Sequence, residues 1–146
     1  MFQGSHSINM DAKGRMAIPS KYRDVLAAAC GGRLVITANP YERCLTIYPE
    51  AQWREVKATI SALPNSNKQV RRIQRLVVGN ATELEMDSNG RVLLPPTLRD
   101  YAGLDKKLML VGLDSKAELW SEDQWNALLD EEDDGPTPEA LQNLTL

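Results

Sequence analysis

The chain of 146 residues is poor in the groups that most enzymes need, with a single histidine, His6, and two cysteines, Cys30 and Cys44. A Ser-His-Asp or Cys-His arrangement would have to recruit a histidine next to the N-terminus. One histidine and two widely spaced cysteines make no zinc set. The cysteines stand in no C-x-x-C pair and cannot form a disulfide framework, so ordinary thiols in a reducing compartment are expected. Neither a G-x-x-x-x-G-K-[ST] nor a G-x-G-x-x-G stretch occurs to hold nucleotide phosphates. The longest apolar run, Leu108 to Leu113, contains Gly112 and falls far short of the ~20 residues of a membrane helix. The N-terminus lacks the basic and apolar regions of a secretory signal. Aromatic residues make up 5% of the chain, too few for an extended base-stacking face. The expectation is a cytoplasmic protein that is no enzyme, with no cofactor, no metal, no membrane partner and no small-molecule substrate.

Charge is the next apparent deficit. Seventeen Lys and Arg against 20 Asp and Glu leave a net charge of −3, which by itself argues against an acidic partner. The distribution reverses that inference. Residues 1–82 carry net +7 and residues 83–146 carry net −10, so the average conceals a basic half and an acidic half.

What the chain does contain is an internal repeat, and repeats take precedence over local patterns in fold assignment. Met10-Asp11-Ala12-Lys13-Gly14-Arg15-Met16-Ala17-Ile18-Pro19 aligns with Met86-Asp87-Ser88-Asn89-Gly90-Arg91-Val92-Leu93-Leu94-Pro95, and Arg23-Asp24 aligns with Arg99-Asp100, all at an offset of 76. Each unit reads in the same order. Ile8 and Met10, like Leu84 and Met86, alternate with polar residues as a half-buried strand does. An Asp-x-x-Gly turn follows, Asp11 and Asp87 capping it through the carboxylate and Gly14 and Gly90 tolerating positive φ. Met16/Ile18 and Val92/Leu94 form the return strand of a hairpin. Pro19 and Pro95 open short helices over Ser20 to Leu26 and Thr97 to Ala102, and a second hairpin completes the unit.

Between the units, Trp53, Val56, Ile60 and Leu63 trace one helix until Pro64. A second begins at a Ser66-x-x-Gln69 capping box and runs to Gly79. Ser121-x-x-Gln124 opens a last helix, followed by an acidic run, Asp130 to Asp134, too charged to pack and expected to be mobile. The organisation is thus residues 5–52 as a first repeat, 53–80 as a connecting helical hairpin, 81–124 as a second repeat, and 125–146 as a helix end and acidic tail. A unit this short sits near the limit for folding alone, so the two should complete each other's core.

The order strand, D-x-x-G-R turn, strand, I-P or L-P, short helix, hairpin resembles the SpoVT-AbrB swapped-hairpin domain. Two copies in one chain, separated by a helical hairpin that includes Val70-Arg71-Arg72-Ile73-Gln74-Arg75-Leu76, resemble the MraZ family of bacterial transcriptional regulators of the division and cell wall gene cluster. The resemblance implies an α+β fold in which interlocked repeats form a small β-barrel with flanking and connecting helices. It also implies a nucleoid-associated, ring-like homo-oligomer that binds short direct repeats in double-stranded DNA upstream of its own operon.

The candidate contacts follow from position and charge. Arg15, just past a convex turn tip, can reach a phosphate or the O6/N7 edge of guanine, and Arg91 is its counterpart. Either arginine could instead pair with the aspartate of its own turn, Asp11 or Asp87. Lys13, Lys21 and Arg23 would gather beside Arg15 if the first hairpin folds back on its helix, and are expected chiefly on phosphates; Asn89 replaces Lys13 in the second unit. Lys68, Arg71, Arg72 and Arg75 form a basic helix face that suits either phosphates or the acidic half of a neighbouring chain, the second being favoured because a head-to-tail ring needs two complementary surfaces. An acid dyad of Asp11 and Asp87 is disfavoured, since each has a turn to cap and an arginine four residues away. The competing class is an antitoxin-like module whose acidic tail captures a partner protein, for which Leu141, Leu144 and Leu146 would be the few apolar anchors.

Overall fold

A computed structural model describes the chain from Met1 to Leu146 except Asp133, Asp134 and the side chain of Cys30. The first repeat contains β1 (Phe2–Asn9), β2 (Arg15–Ala17), α1 (Ser20–Cys30), β3 (Arg33–Ala38) and β4 (Leu45–Pro49). The connector is α2 (Glu50–Ser61), α3 (Lys68–Ile73) and a π-helical segment, Gln74–Val78. The second repeat follows as β5 (Thr82–Glu85), β6 (Arg91–Leu93), α4 (Pro96–Ala102), β7 (Lys107–Asp114) and β8 (Ala117–Ser121), then α5 (Glu122–Leu129) and α6 (Glu139–Gln142).

Strand pairing crosses between the repeats. Six strands form one antiparallel sheet in the order β1-β7-β8-β4-β3-β5, so the first strand of each repeat pairs with the third strand of the other. The expected return strands do not complete hairpins within their own units. Met10 and Met16 form one isolated bridge, and β2 pairs with β6 in a separate two-stranded ribbon. The sheet is open among the described residues: β1 and β5 lie at its two edges and do not pair. The closed barrel expected from the repeat pattern is therefore replaced by an open sheet and a ribbon. The physical reason is the shortness of the return strands, three residues each, which satisfy each other's backbone groups instead of bridging the sheet edges.

Alternation along the strands buries both faces of the sheet. On one face Leu34, Ile36, Leu45, Ile47, Leu108, Leu110 and Leu119 pack with Tyr22 and Leu26 of α1, Leu98 and Ala102 of α4, and Met16 and Val92 of the ribbon. The pseudo-repeat thus supplies one shared core, as two marginal units require. On the other face Val35 and Tyr48 pack beneath Trp53 and Val77 of the connector, while Val111 and Trp120 pack against Trp125 and Leu128 of α5. A polar seam separates these two clusters. Thr37, fully buried, donates to the Val77 carbonyl at 2.5 Å, and Asn39 Nδ2 reaches Thr46 Oγ1 and Glu118 Oε2, each at 3.3 Å.

Two helix ends depart from the sequence pattern. The second connector helix is capped by Asn67, whose side chain accepts from the Gln69 and Val70 N–H groups, and not by Ser66. From Gln74 the turn widens to π geometry, with the Gly79 N–H donating to the Gln74 carbonyl at 3.1 Å. The wide turn brings Val77 against Val35 and gives its carbonyl to Thr37, a tertiary demand that helical spacing alone does not register. The Ser121 cap forms as expected, its hydroxyl accepting from the Gln124 N–H at 3.2 Å. Of the acidic run expected to be unpacked, Asp133 and Asp134 lie outside the described residues, and Asp130, Glu131 and Glu132 are exposed.

Candidate nucleic-acid interface

The two D-x-x-G-R turns have the same construction. Asp11 Oδ1 accepts from the backbone N–H of Lys13 at 3.0 Å and of Arg15 at 2.9 Å, while Oδ2 accepts from Arg15 Nε at 2.8 Å. Asp87 does the same with Asn89 at 2.8 Å, Arg91 N–H at 2.9 Å and Arg91 Nε at 3.2 Å. The Arg15 backbone N–H, ahead of the Arg15 guanidinium and the Lys13 N–H, holds the Asp11 carboxyl below its ordinary range. The Arg91 backbone N–H has the first effect on Asp87, with the same direction. Both carboxylates are therefore held in their charged form.

The fourth turn position explains why glycine stands there. Gly14 has φ +89 and Gly90 has φ +73, and each lies beneath an arginine from the opposite repeat. A Cβ at Gly14 would stand 2.7 Å from Arg99 Cζ, and one at Gly90 would stand 2.4 Å from Arg23 Cδ. Arg23 Nη1 also donates to the Asn89 carbonyl at 3.5 Å. The ribbon backbone reinforces this exchange: the Ile18 N–H donates to the Gly90 carbonyl and the Leu94 N–H to the Gly14 carbonyl. The single patch expected around the first turn is thereby divided. Arg23 lies over the second turn, because antiparallel pairing of β2 with β6 carries each helix toward the other repeat's D-x-x-G-R turn. Arg99, which the candidate contacts above omit, lies over the first turn. Its alignment with Arg23 in the internal repeat was the available signal.

The ribbon sets the geometry of the candidate surface. Met16 pairs with Val92 and both point into the core, so the flanking residues point outward. Arg15 stands opposite Leu93 and Arg91 opposite Ala17, which places both arginines on one outward face. Diagonal neighbours of this kind have Cα atoms roughly 7–8 Å apart. Both halves of the earlier alternative are visible in the local chemistry. Each arginine does pair with its own turn aspartate, yet the pairing consumes Nε; among the described residues neither Nη1 nor Nη2 of Arg15 or Arg91 has a partner. The aspartate thus fixes the guanidinium plane while the terminal pair of nitrogens stays available, the fork that meets a phosphate or the O6/N7 edge of guanine. Lys13 and Lys21 are exposed and make no side-chain bond among the described residues, Lys13 contributing only its backbone N–H to Asp11.

The basic connector face is not a single unit. Arg71 turns back to the carbonyls of Asn65 and Ser66, each at 2.9 Å, and Arg72 reaches the Pro40 carbonyl at 3.2 Å. Lys68, Arg72 and Arg75 line a groove together with Arg43, whose guanidinium stacks 4.6 Å from the centroid of the Tyr101 ring.

The residues that could carry other chemistry have structural surroundings. His6 packs edge-on against Tyr22 with centroids 5.1 Å apart, and burial above all, with Glu118 and Glu42 nearby, pushes the Cys44 thiol far up. No group of three His, Cys, Asp or Glu among the described residues could hold a metal ion. No helix among them is long and apolar enough to cross a membrane.

Comparison with known proteins bears on this arrangement. The family model described as "MraZ protein, putative antitoxin-like" matches twice in tandem, over residues 1–76 and 77–145. The chain belongs to the MraZ family. Proteins called transcriptional regulator MraZ are similar along the whole chain: that of Saccharophagus degradans is 62% identical with all of both chains covered. That of Marinobacter nauticus is 57% identical over 96% of this chain and 97% of its own. That of Pseudomonas aeruginosa is 46% identical, again with all of both chains covered. The tandem match to one family model accords with the repeated turn, ribbon strand and helix described above.

Proposed function

We propose that this MraZ-family chain is a sequence-specific DNA-binding transcriptional regulator that acts in the cytoplasm, on the nucleoid. The observation that carries the reading is the β2–β6 ribbon, which presents Arg15 and Arg91 outward on one face, their terminal nitrogens without a hydrogen-bond partner among the described residues. A two-stranded ribbon is one of the two elements that the major groove admits. The relatives' names point to transcriptional regulation, and the family resemblance supplies the target: short direct repeats upstream of the protein's own operon in the division and cell wall cluster.

In this reading Arg15 is the main base contact, its plane set by Asp11. Arg91 contacts the adjoining step through the same construction. Lys13 and Lys21 contact phosphates, and Arg23 contributes to the phosphate surface while covering the Gly90 turn. The two repeats act as swapped-hairpin units, residues 5–52 and 81–124. Subunits associate head-to-tail into a ring, the basic connector facing the acidic second half of the next copy, so that several subunits each engage one repeat of the operator.

A gel-shift titration against the protein's own upstream DNA tests this. A bidentate arginine–guanine contact is worth roughly 1–3 kcal/mol, so Arg15→Ala should weaken specific binding by roughly 5- to 150-fold. Lys21→Ala should weaken all sequences alike and lower the salt slope by about one unit. Unchanged affinity and specificity in Arg15→Ala would refute the assignment.

A further inference from the structure

The groove on the connector is built differently from the rest of the surface. It encloses about 650 Å³, within the range of sites that hold small molecules, and no carboxylate lines it. Arg43, Lys68, Arg72 and Arg75 all line this one concavity. None of the four forms an ion pair among the described residues, whose five salt bridges all lie elsewhere. Like charges gathered in this way repel one another until an anion arrives.

Two of the cations are already held in place. Arg72 Nη1 donates to the Pro40 carbonyl at 3.2 Å, which leaves Nη2 and Nε without a partner among the described residues. Arg43 stacks 4.6 Å from the centroid of the Tyr101 ring, and the ring is itself anchored, its hydroxyl donating to the Asn39 carbonyl at 2.5 Å. Fixing cations before a ligand arrives lowers the ordering cost of binding it. The stack is no requirement of the duplicated unit. Val25 and Ser115 stand where the repeat alignment, at offsets of 76 and 72, puts the counterparts of Tyr101 and Arg43.

The remaining lining suits an organic group joined to phosphates. Leu76 and the Tyr101 ring supply apolar surface. The Arg43 guanidinium is a flat plate of the kind on which nucleobases stack. Asn80 Nδ2 donates to the Leu76 carbonyl at 2.9 Å, which leaves its Oδ1 to accept from a ligand. The Gln69 side chain can both donate and accept, and it makes no bond among the described residues. Amide groups of this kind match the donors and acceptors on the edge of a heterocyclic base.

We propose that the groove is a binding site for a nucleoside polyphosphate. The phosphate chain pairs with Lys68, Arg72 and Arg75, the base stacks on the Arg43 guanidinium, and Gln69 and Asn80 meet the edge of the base. No glycine-rich loop is needed, because side-chain cations take the place of the backbone N–H groups that cradle phosphates there. None of the groove residues lies on the ribbon, so the site stands apart from the DNA contacts proposed above.

Equilibrium dialysis of the full chain against ATP tests it, in EDTA so that no metal ion neutralises the phosphates. ATP should bind one to one with a dissociation constant below about 1 mM. Lys68 and Arg75 make no side-chain bond among the described residues, so Lys68→Ala with Arg75→Ala leaves the fold intact, as circular dichroism verifies. That variant should bind ATP roughly tenfold or more weakly. Lys57→Ala with Lys106→Ala removes the same charge from two exposed positions outside the groove, and should change the affinity by less than about twofold. Tripolyphosphate, which lacks the base and sugar, should bind roughly tenfold more weakly than ATP. Adenosine, which lacks the phosphates, should bind more weakly than ATP as well. An absence of ATP binding below about 1 mM would overturn the site. Equal losses in the two double variants would do so too, being the mark of diffuse attraction to net charge. Tripolyphosphate or adenosine binding as tightly as ATP would overturn the nucleoside polyphosphate assignment. Each of these results leaves the DNA and ring readings where they stand.

Discussion

Substituting Gly90 by alanine probes the contact that ties one repeat to the other. Two costs are separable. At φ +73 an alanine pays the left-handed strain of roughly 1–2 kcal/mol. Its Cβ would also lie 2.4 Å from Arg23 Cδ, 2.6 Å from Nη1 and 2.8 Å from Nε, so the arginine must leave the turn. Crowding of this kind adds about 1–3 kcal/mol, for a total near 2–5 kcal/mol. Gly31 is the internal control: its φ is +64, and a Cβ there meets nothing within 4 Å. Gly31→Ala should therefore cost only the strain, about 1–2 kcal/mol. Urea denaturation monitored by tryptophan fluorescence measures both. The decisive comparison adds Arg23→Ala. If the Arg23 side chain is the obstacle, the double variant should be more stable than the sum of the single effects implies, by about 1–3 kcal/mol. Strict additivity, or a Gly90→Ala cost no larger than that of Gly31→Ala, would refute the claim that the opposite repeat's arginine dictates glycine at this turn.

Three further outcomes follow from the same geometry. Asn67→Ala should destabilise the protein by about 0.5–2 kcal/mol through loss of the helix cap, whereas Ser66→Ala should be nearly neutral, as measured by thermal unfolding. The carboxyls of Asp11 and Asp87 titrate below their ordinary value in the folded chain, so their contribution to stability is complete above pH ~4 and is lost as pH falls through the folded values. Stability curves of wild type and Asp11→Asn should accordingly converge in acid, and a gap that widens below pH ~4 would reverse the sign of the argument. Cys44, buried with its thiol pushed up, should resist iodoacetamide at neutral pH in the folded chain and react on unfolding, as peptide mass spectrometry would report.

The arginine-bearing turns were legible because turn chemistry is local. Asp at the first position, Gly at the fourth and Arg just beyond determine their own hydrogen bonds within five residues, and both turns form them. The helix caps show where locality fails. Ser66 and Asn67 are adjacent, both chemically able to cap, and the path of the chain from Pro64 decides between them. The π-helical segment was not legible for a related reason: its wide turn satisfies Thr37 and seats Val77, partners that lie far away in sequence.

The amino-acid sequence by itself determined the duplicated unit, the composition of each turn, the alternation that makes the strands, and the segregation of positive from negative charge. All of these depend on residues close together in the chain or on simple counting. The tertiary structure alone decided which strand pairs with which. That choice opened the barrel into a sheet and a ribbon, turned Arg15 and Arg91 to a common face, and placed Arg23 and Arg99 on each other's repeats. It was out of reach of the sequence because the two units are near copies, and a strand that can pair within its own unit can pair equally with the other. Burial of one shared core selects between those options, and it acts only once both units are present.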